Sequence, residues 1–431
     1  MVEQRNSGMN LSDVHLSLWD FVSPISRTVD MMAPALAEHH MRVAYLAMRI
    51  GEELGLPQQT LHELVIAGAL HDIGAFSVKN RLDLLAFEDR YTHPHCKAGY
   101  LLLNGFKPFA DIGSIVLHHH LPWNHGQGLS HRDMAVPETA HIIHLADRVA
   151  VMLRRDVFPL SQVPEICEAV AQAEGKVFAP KHVGALMRFS EKDYVWLEAA
   201  SKFVEAILRK RVGQRIQIVQ MDELLGLARL ICNVIDFKSE FTATHSSGVA
   251  ATAVSLARRT GFSDHECAKI EIAAYLHDLG KLAIPSEILE KPGKLTPEEW
   301  HIMRSHVYYT YHILESIEPF GDITPWAALH QERLDGSGYP FKYTAADLPL
   351  GARVMAIADV FTSITENRPY HAGRDKDEAV RILRDMADHD KLDAPLVEML
   401  LRHFEEINAL RIAAQTKALK EYQDFQAALA A

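Results

Sequence analysis

At 431 residues the chain is too long for one hydrophobic core and predicts two or three domains. Its 48% hydrophobic and 23% charged content is that of a globular protein, which excludes disordered and fibrous classes. A formal net charge of −12 disfavours a polyanion-gripping surface, so no nucleic-acid polymer is expected as partner.

Met1–Asn10 lacks the basic and apolar regions of a signal peptide, and no apolar run reaches the ~18–20 residues of a membrane span. Cys96, Cys167, Cys232 and Cys267 form no Cys-x-x-Cys pair, which argues against a zinc ribbon or disulfide framework. Together these features predict a cytoplasmic protein with no membrane contact. Residues 1–24 read as a tail and 25–215 as a first domain. There Val43, Leu46, Ala47, Ile50 and Leu54 recur at helical spacing, and Pro57 marks a helix boundary. From about 150 to 235 the patterns stay helical but lack metal-type residues, predicting a helical linker. Leu224, Leu227, Leu230, Ile231 and Val234 make an amphipathic helix leading into a second domain over 216–431. Val249, Ala253, Leu256 and Ala257 repeat that spacing, and Thr296-Pro297-Glu298-Glu299 is a helix start with N-cap, proline and acids in place. The Ala-rich end of the chain is a strong helix former. The expected fold is all-α.

The two halves repeat one another. His39 and His71 lie 32 residues apart, as do His245 and His277, and both segments end in His-Asp-x-Gly. His118 and Asp147 lie 29 apart, as do His330 and Asp359. The second half thus holds six residues of ligand chemistry: His245, His277, Asp278, His306, His330 and Asp359. Imidazole with carboxylate suits iron, manganese or zinc, and the lack of thiolate argues against a structural zinc knot. Neighbouring residues on a helix diverge by ~100°, so Asp278 can bridge two ions. The expected division is His245, His277, Asp278 and Asp359 on one ion, and Asp278, His306 and His330 on the other. The first half offers a parallel candidate set, His39, His71, Asp72, His95, His118 and Asp147, while His119, His120, His125 and His131 read as loop residues.

His277-Asp278-Leu279-Gly280-Lys281 resembles the motif of the HD phosphohydrolase superfamily, and the run from His330 to Pro340 (HQERLDGSGYP) resembles the HHExxDGxGYP signature of the HD-GYP subfamily. Arg368-Pro369-Tyr370 resembles the segment after the last metal ligand there. The likeness spans about 225–405; the first repeat resembles only the broader superfamily. Departures are Gln331 for the second signature histidine, Phe241 for a glutamate that helps some members hold a third metal, Thr362 for an aspartate, and His371 for a basic residue. The first two predict two metal ions, iron or manganese, in the second half.

The resemblance implies tandem HD-type helical domains and a phosphodiesterase that cuts cyclic di-GMP to linear pGpG and onward to GMP. Asp278 would hold the metals and Lys281 would meet the phosphate, as catalytic residues; Lys281, Arg333, Tyr339 and Arg368 would contact substrate. Gln331, Thr362 and His371 leave room for 3′,3′-cyclic GMP-AMP as the alternative substrate. A di-iron oxygenase and a nucleotide-sensing HD scaffold stand further off, since Lys281 and the GYP loop speak against the first and six intact ligands against a metal-free form of the second. Ala75 takes the place of Lys281 in the first repeat, which has no GYP loop; metal binding without turnover is the reading there. A homodimer is left open.

Overall fold

The computed structural model describes residues 14–30, 38–75, 93–212, 217–237, 242–289, 291, 293–367 and 373–431. They form an all-α protein with two short two-stranded ladders. Strand β1 (Val14–Leu16) pairs antiparallel with β4 (Gln217–Val219), Val14 opposite Val219, and β2 (Ser130–His131) pairs with β3 (Met134–Ala135).

The first unit runs α1 (Leu18–Asp30), α2 (His39–Glu53), α3 (Gln58–Leu70), α4 (His93–Asn104), α5 (Ala110–His118) and α6 (Glu138–Met152). Helix α2 is its axis: Val43, Ala44, Leu46, Ala47 and Ile50 are all buried, because α3 covers one side and α6 the other. The expected tail boundary at residue 24 falls inside α1, whose Trp19, Phe21, Val22 and Ile25 are core. Within the expected first domain of 25–215, the helical stretch toward the second unit folds as α7 (Pro159–Gln172), α8 (Pro180–Ser190), α9 (Asp193–Ala199) and α10 (Val204–Val212). Helices α8, α9 and α10 each pack on α2, so this segment completes the first unit.

The second unit holds α11 (Met221–Asp236), α12 (Thr242–Arg259), α13 (Asp264–Leu276), a 3₁₀ turn over Leu279–Ala283, α14 (Ser286–Leu289), α15 (Pro297–Glu315), α16 (Ile323–Ala328), α17 (Leu350–Thr365), α18 (Lys376–Asp388), α19 (Ala394–Arg402) and α20 (Phe404–Ala430). Its axis is α12, packed by α13, α17 and the long α20. The Thr296 hydroxyl accepts from the Glu299 amide at 3.2 Å, so the start of α15 is capped as its sequence predicts. Helix α1 of the first unit lies on the 279–283 turn and on α15, with the Phe21 and Phe320 rings 5.9 Å apart edge to face. Helix α4 meets α11 and α20, so the units share a contact surface. No helix among the described residues is long and apolar enough to cross a membrane.

Candidate metal centres

In the second unit five segments converge. His245 sits in the first turn of α12, His277 and Asp278 follow α13, His306 lies in α15, His330 follows α16, and Asp359 lies in α17. The Asp278 carboxylate faces two ways: Oδ2 is 3.2 Å from His277 Nε2, and Oδ1 is 3.4 Å from His306 Nε2. Asp359 Oδ1 is 3.3 Å from His245 Nε2. One ligand atom each from His245, His277 and Asp359 lies within 4.8 Å of the others, and the same holds for His277, Asp278 and His330. The six expected residues of this half therefore come together, with His277 common to both groups and Asp278 between His277 and His306.

Local backbone aims the imidazoles. Nδ1 of His277, His306 and His330 lies 2.7, 2.6 and 2.8 Å from the carbonyl three residues earlier, of Ala274, Met303 and Ala327. A carbonyl can only accept, so each Nδ1 carries a proton and each Nε2 turns inward, that of His277 onto the Asp278 carboxylate. Nε2 of His306 and of His330 is buried without a hydrogen bond. Such orphaned acceptors beside carboxylates fit divalent cations, with nitrogen and oxygen donors only. Burial would raise the Asp278 carboxyl, yet His277 and Lys281 hold it well below the usual carboxylate range. Burial, with the charge of His277, pushes His330 down to about 3, which keeps it a neutral donor.

Four further residues surround the site, of which Glu366, Gln415 and Asp236 carried no signal of their own in the sequence. Glu366, beyond the end of α17, lies 3.1 Å from His245 Nδ1 and orients that ring; Gln415 of α20 donates to Glu366 at 3.1 Å. Gln331 donates to Asp359 Oδ2 at 3.0 Å, so the residue in place of the signature's second histidine steadies a carboxylate. Asp236 of α11 is buried beside Cys232, whose thiol donates to it at 3.2 Å; burial raises its carboxyl to about 6.

Around the cluster, Lys281 Nζ is 2.5 Å from Asp278 Oδ2 and its side chain stays 22% exposed, so the ammonium stands at the mouth of the site. Tyr339 packs under the Arg304 guanidinium, 4.5 Å from the ring centre, with Trp300 6.5 Å away. Arg333 is turned back on its own loop, donating to the carbonyls of His330 and Glu332 at 3.1 and 2.9 Å. Arg368, Phe241 and His371 lie outside the described residues.

The first unit repeats the pattern with one correction. His39 Nε2 is 3.2 Å from Asp147 Oδ1, and Asp72 faces His71 and His95 at 3.3 Å each. His118 does not join them: its Nδ1 is held by the Ser114 carbonyl at 3.0 Å and its ring lies against His131. His119 stands there instead, its Nδ1 2.6 Å from the carbonyl three residues back, as in His330, and its Nε2 3.7 Å from Asp72 Oδ1. The equal 29-residue intervals were misleading because the segment joining His119 to Asp147 is one residue shorter, and a one-residue step at a helix end turns a side chain by ~100°. His120 also lies inside, not in an exposed loop. Arg148 adds an ion pair to Asp147 at 2.6 Å. Ala75 occupies the position of Lys281: its amide meets Asp72 O at 2.9 Å, as the Lys281 amide meets Asp278 O at 2.9 Å.

Comparison with known proteins agrees with this duplication. One family model described as HD domain matches residues 36–152 and another residues 229–396. A Vibrio cholerae protein named 3'3'-cGAMP-specific phosphodiesterase 1 is 28% identical over 400 residues, covering 90% of this chain and 92% of that protein. A Thermotoga maritima protein named cyclic di-GMP phosphodiesterase is 34% identical over 189 residues, 43% of this chain and 51% of that one. A solved V. cholerae structure described as a cyclic GMP-AMP specific phosphodiesterase shares the fold, with a TM-score of 0.61 at 23% identity over 94% of this chain and 98% of that chain. The chain thus carries two HD domains in tandem, the second with the GYP run, and is similar to cyclic-dinucleotide phosphodiesterases.

Proposed function

We propose that the second unit is a metal-dependent phosphodiesterase that opens a cyclic dinucleotide, with 3′,3′-cyclic GMP-AMP as its preferred substrate. The observation that carries the hydrolase reading is the ammonium of Lys281 set against Asp278 at the mouth of a buried nitrogen-and-oxygen donor set. His245, His277, Asp278 and Asp359 would hold one cation and Asp278, His306 and His330 a second. Such a pair supplies hydroxide near neutral pH and positive charge for the phosphodiester. Lys281 then meets the charge that grows on phosphorus-bound oxygens. Tyr339, stiffened by Arg304 and Trp300, offers a face on which a base stacks. Glu366 and Gln331 hold His245 and Asp359 in orientation, and the chain supplies Gln331 and Phe241 where a third ion would need donors. An oxygenase has no use for Lys281 or the GYP loop.

The substrate preference departs from cyclic di-GMP as first expectation. A relative aligned over 92% of its own length carries the cyclic GMP-AMP name, whereas the cyclic di-GMP name comes with an alignment over less than half of this chain. The test is incubation of the iron- or manganese-loaded protein with cyclic GMP-AMP, cyclic di-GMP and cyclic di-AMP, with products resolved by chromatography. A kcat/KM at least ~10-fold higher for cyclic GMP-AMP, about 1.4 kcal/mol in the transition state, is expected. A preference for cyclic di-GMP would overturn the substrate, and no cleavage of any of the three would overturn the reaction.

A further inference from the structure

The first unit gathers donors that the second does not have. His95 and Cys96 at the start of α4 and His119 and His120 after α5 are all buried, and one ligand atom of each lies within 4.8 Å of the other three. Nε2 of His95 is 3.4 Å from Nε2 of His119, and Cys96 Sγ is 3.5 Å from the same His95 nitrogen. The His119 and His120 rings are 4.1 Å apart, and those of His95 and His120 5.1 Å. The second unit has Val307 after His306 and Gln331 after His330, so the thiol and the extra imidazole belong to the first unit alone. Donor atoms this close to one another match the ligand-to-ligand spacing of a single cation's shell. Beside them His71 Nε2 and Asp147 Oδ1 are buried without a hydrogen bond.

We propose that His95, Cys96, His119 and His120 form a closed four-donor site for a borderline-soft divalent cation of the zinc class. One sulfur and three nitrogens suit tetrahedral coordination, and the thiol proton leaves to solvent as the ion enters. The first unit thus adds a thiol and an extra imidazole to the imidazole-and-carboxylate chemistry that both units share, with Asp72 Oδ1 3.3 Å from His95 Nε2 beside the site. The site goes beyond the proposed hydrolysis and does not depend on it.

Cobalt(II) titration of the metal-free full-length protein reads the site directly. A thiolate-to-cobalt charge-transfer band in the near ultraviolet is expected to level off at the intensity of one cobalt–thiolate bond per chain. Cys96→Ser should abolish it; Asp278→Asn, in the other unit, should leave it unchanged. His120→Gln should weaken the band's apparent affinity at least ~10-fold. Absence of the band in the wild-type protein, or its survival in Cys96→Ser, overturns the proposal. Should the serine variant fail to fold, alkylation of the wild-type protein decides: bound zinc should slow labelling of Cys96, measured by peptide mass spectrometry, and equal labelling with and without zinc overturns the site.

Discussion

At the scale of the residue, the glycine of each His-Asp-x-Gly run has a steric purpose. A Cβ on Gly280 would lie 1.8 Å from the His306 carbonyl oxygen and 2.7 Å from the Thr310 amide, and one on Gly74 would lie 2.2 Å from the His95 carbonyl. Only a residue without a side chain lets α15, or α4, approach closely enough to bring its histidine to the aspartate. Thr310 closes the contact, accepting from the Gly280 amide at 2.9 Å and donating to the His277 carbonyl at 3.1 Å. Gly280→Ala should therefore force α15 outward, and elemental analysis should find metal lost from the second unit with activity; a metal-loaded, active variant would refute this account. Lys281→Met separates positioning from chemistry. Its ammonium is argued to act on the phosphate, so kcat should fall on the order of 10²–10³-fold while metal content holds. Normal turnover in that variant would remove Lys281 from the reaction.

At the scale of the element, α1 bears on both units. Its Asp30 carboxylate pairs with His40 Nδ1 in the first unit's histidine cluster, while the helix packs on the 279–283 turn that carries Lys281 and on α15 that carries His306. Phe21 is 1% exposed and sits edge-on to Phe320. Phe21→Ala should cost roughly 3–5 kcal/mol by opening a cavity between the units. Chemical denaturation with each unit followed separately should show the contact loosening, and a change under 1 kcal/mol would mean that the helix is not holding them together. For the segment 159–212, helical periodicity says that a helix forms, not what it covers. Its docking on α2 depends on the surface α2 leaves open, which is a tertiary matter.

At the scale of the whole molecule, duplication has left two related sites with unequal means. Both keep the aspartate that follows the motif histidine and both keep the close helix approach, but only the second has an ammonium and a GYP loop; Ala75 offers no charge. The double substitution His71→Ala with Asp72→Ala in the full chain should leave most cyclic-dinucleotide turnover in place, provided circular dichroism and the metal content of the second unit are unchanged. Complete loss of turnover in that folded, metal-loaded protein would show that hydrolysis requires the first unit's site.

The helical class, the duplication, the His-Asp-x-Gly turns and the six-residue set of the second half were legible in the sequence, because helical periodicity and motif spacing are local properties of the chain. The choice among His118, His119 and His120 was not: three consecutive imidazoles are chemically equal, and only the backbone at the end of α5 decides which Nε2 turns inward. Nor could spacing single out Glu366, Gln415 or Asp236, which reach the second site from separate helices and a helix end, or Cys96, whose sulfur gains meaning only when α4 brings it against His95 and His119. Donor type is written residue by residue, whereas donor direction is set by helix ends and by what packs against them.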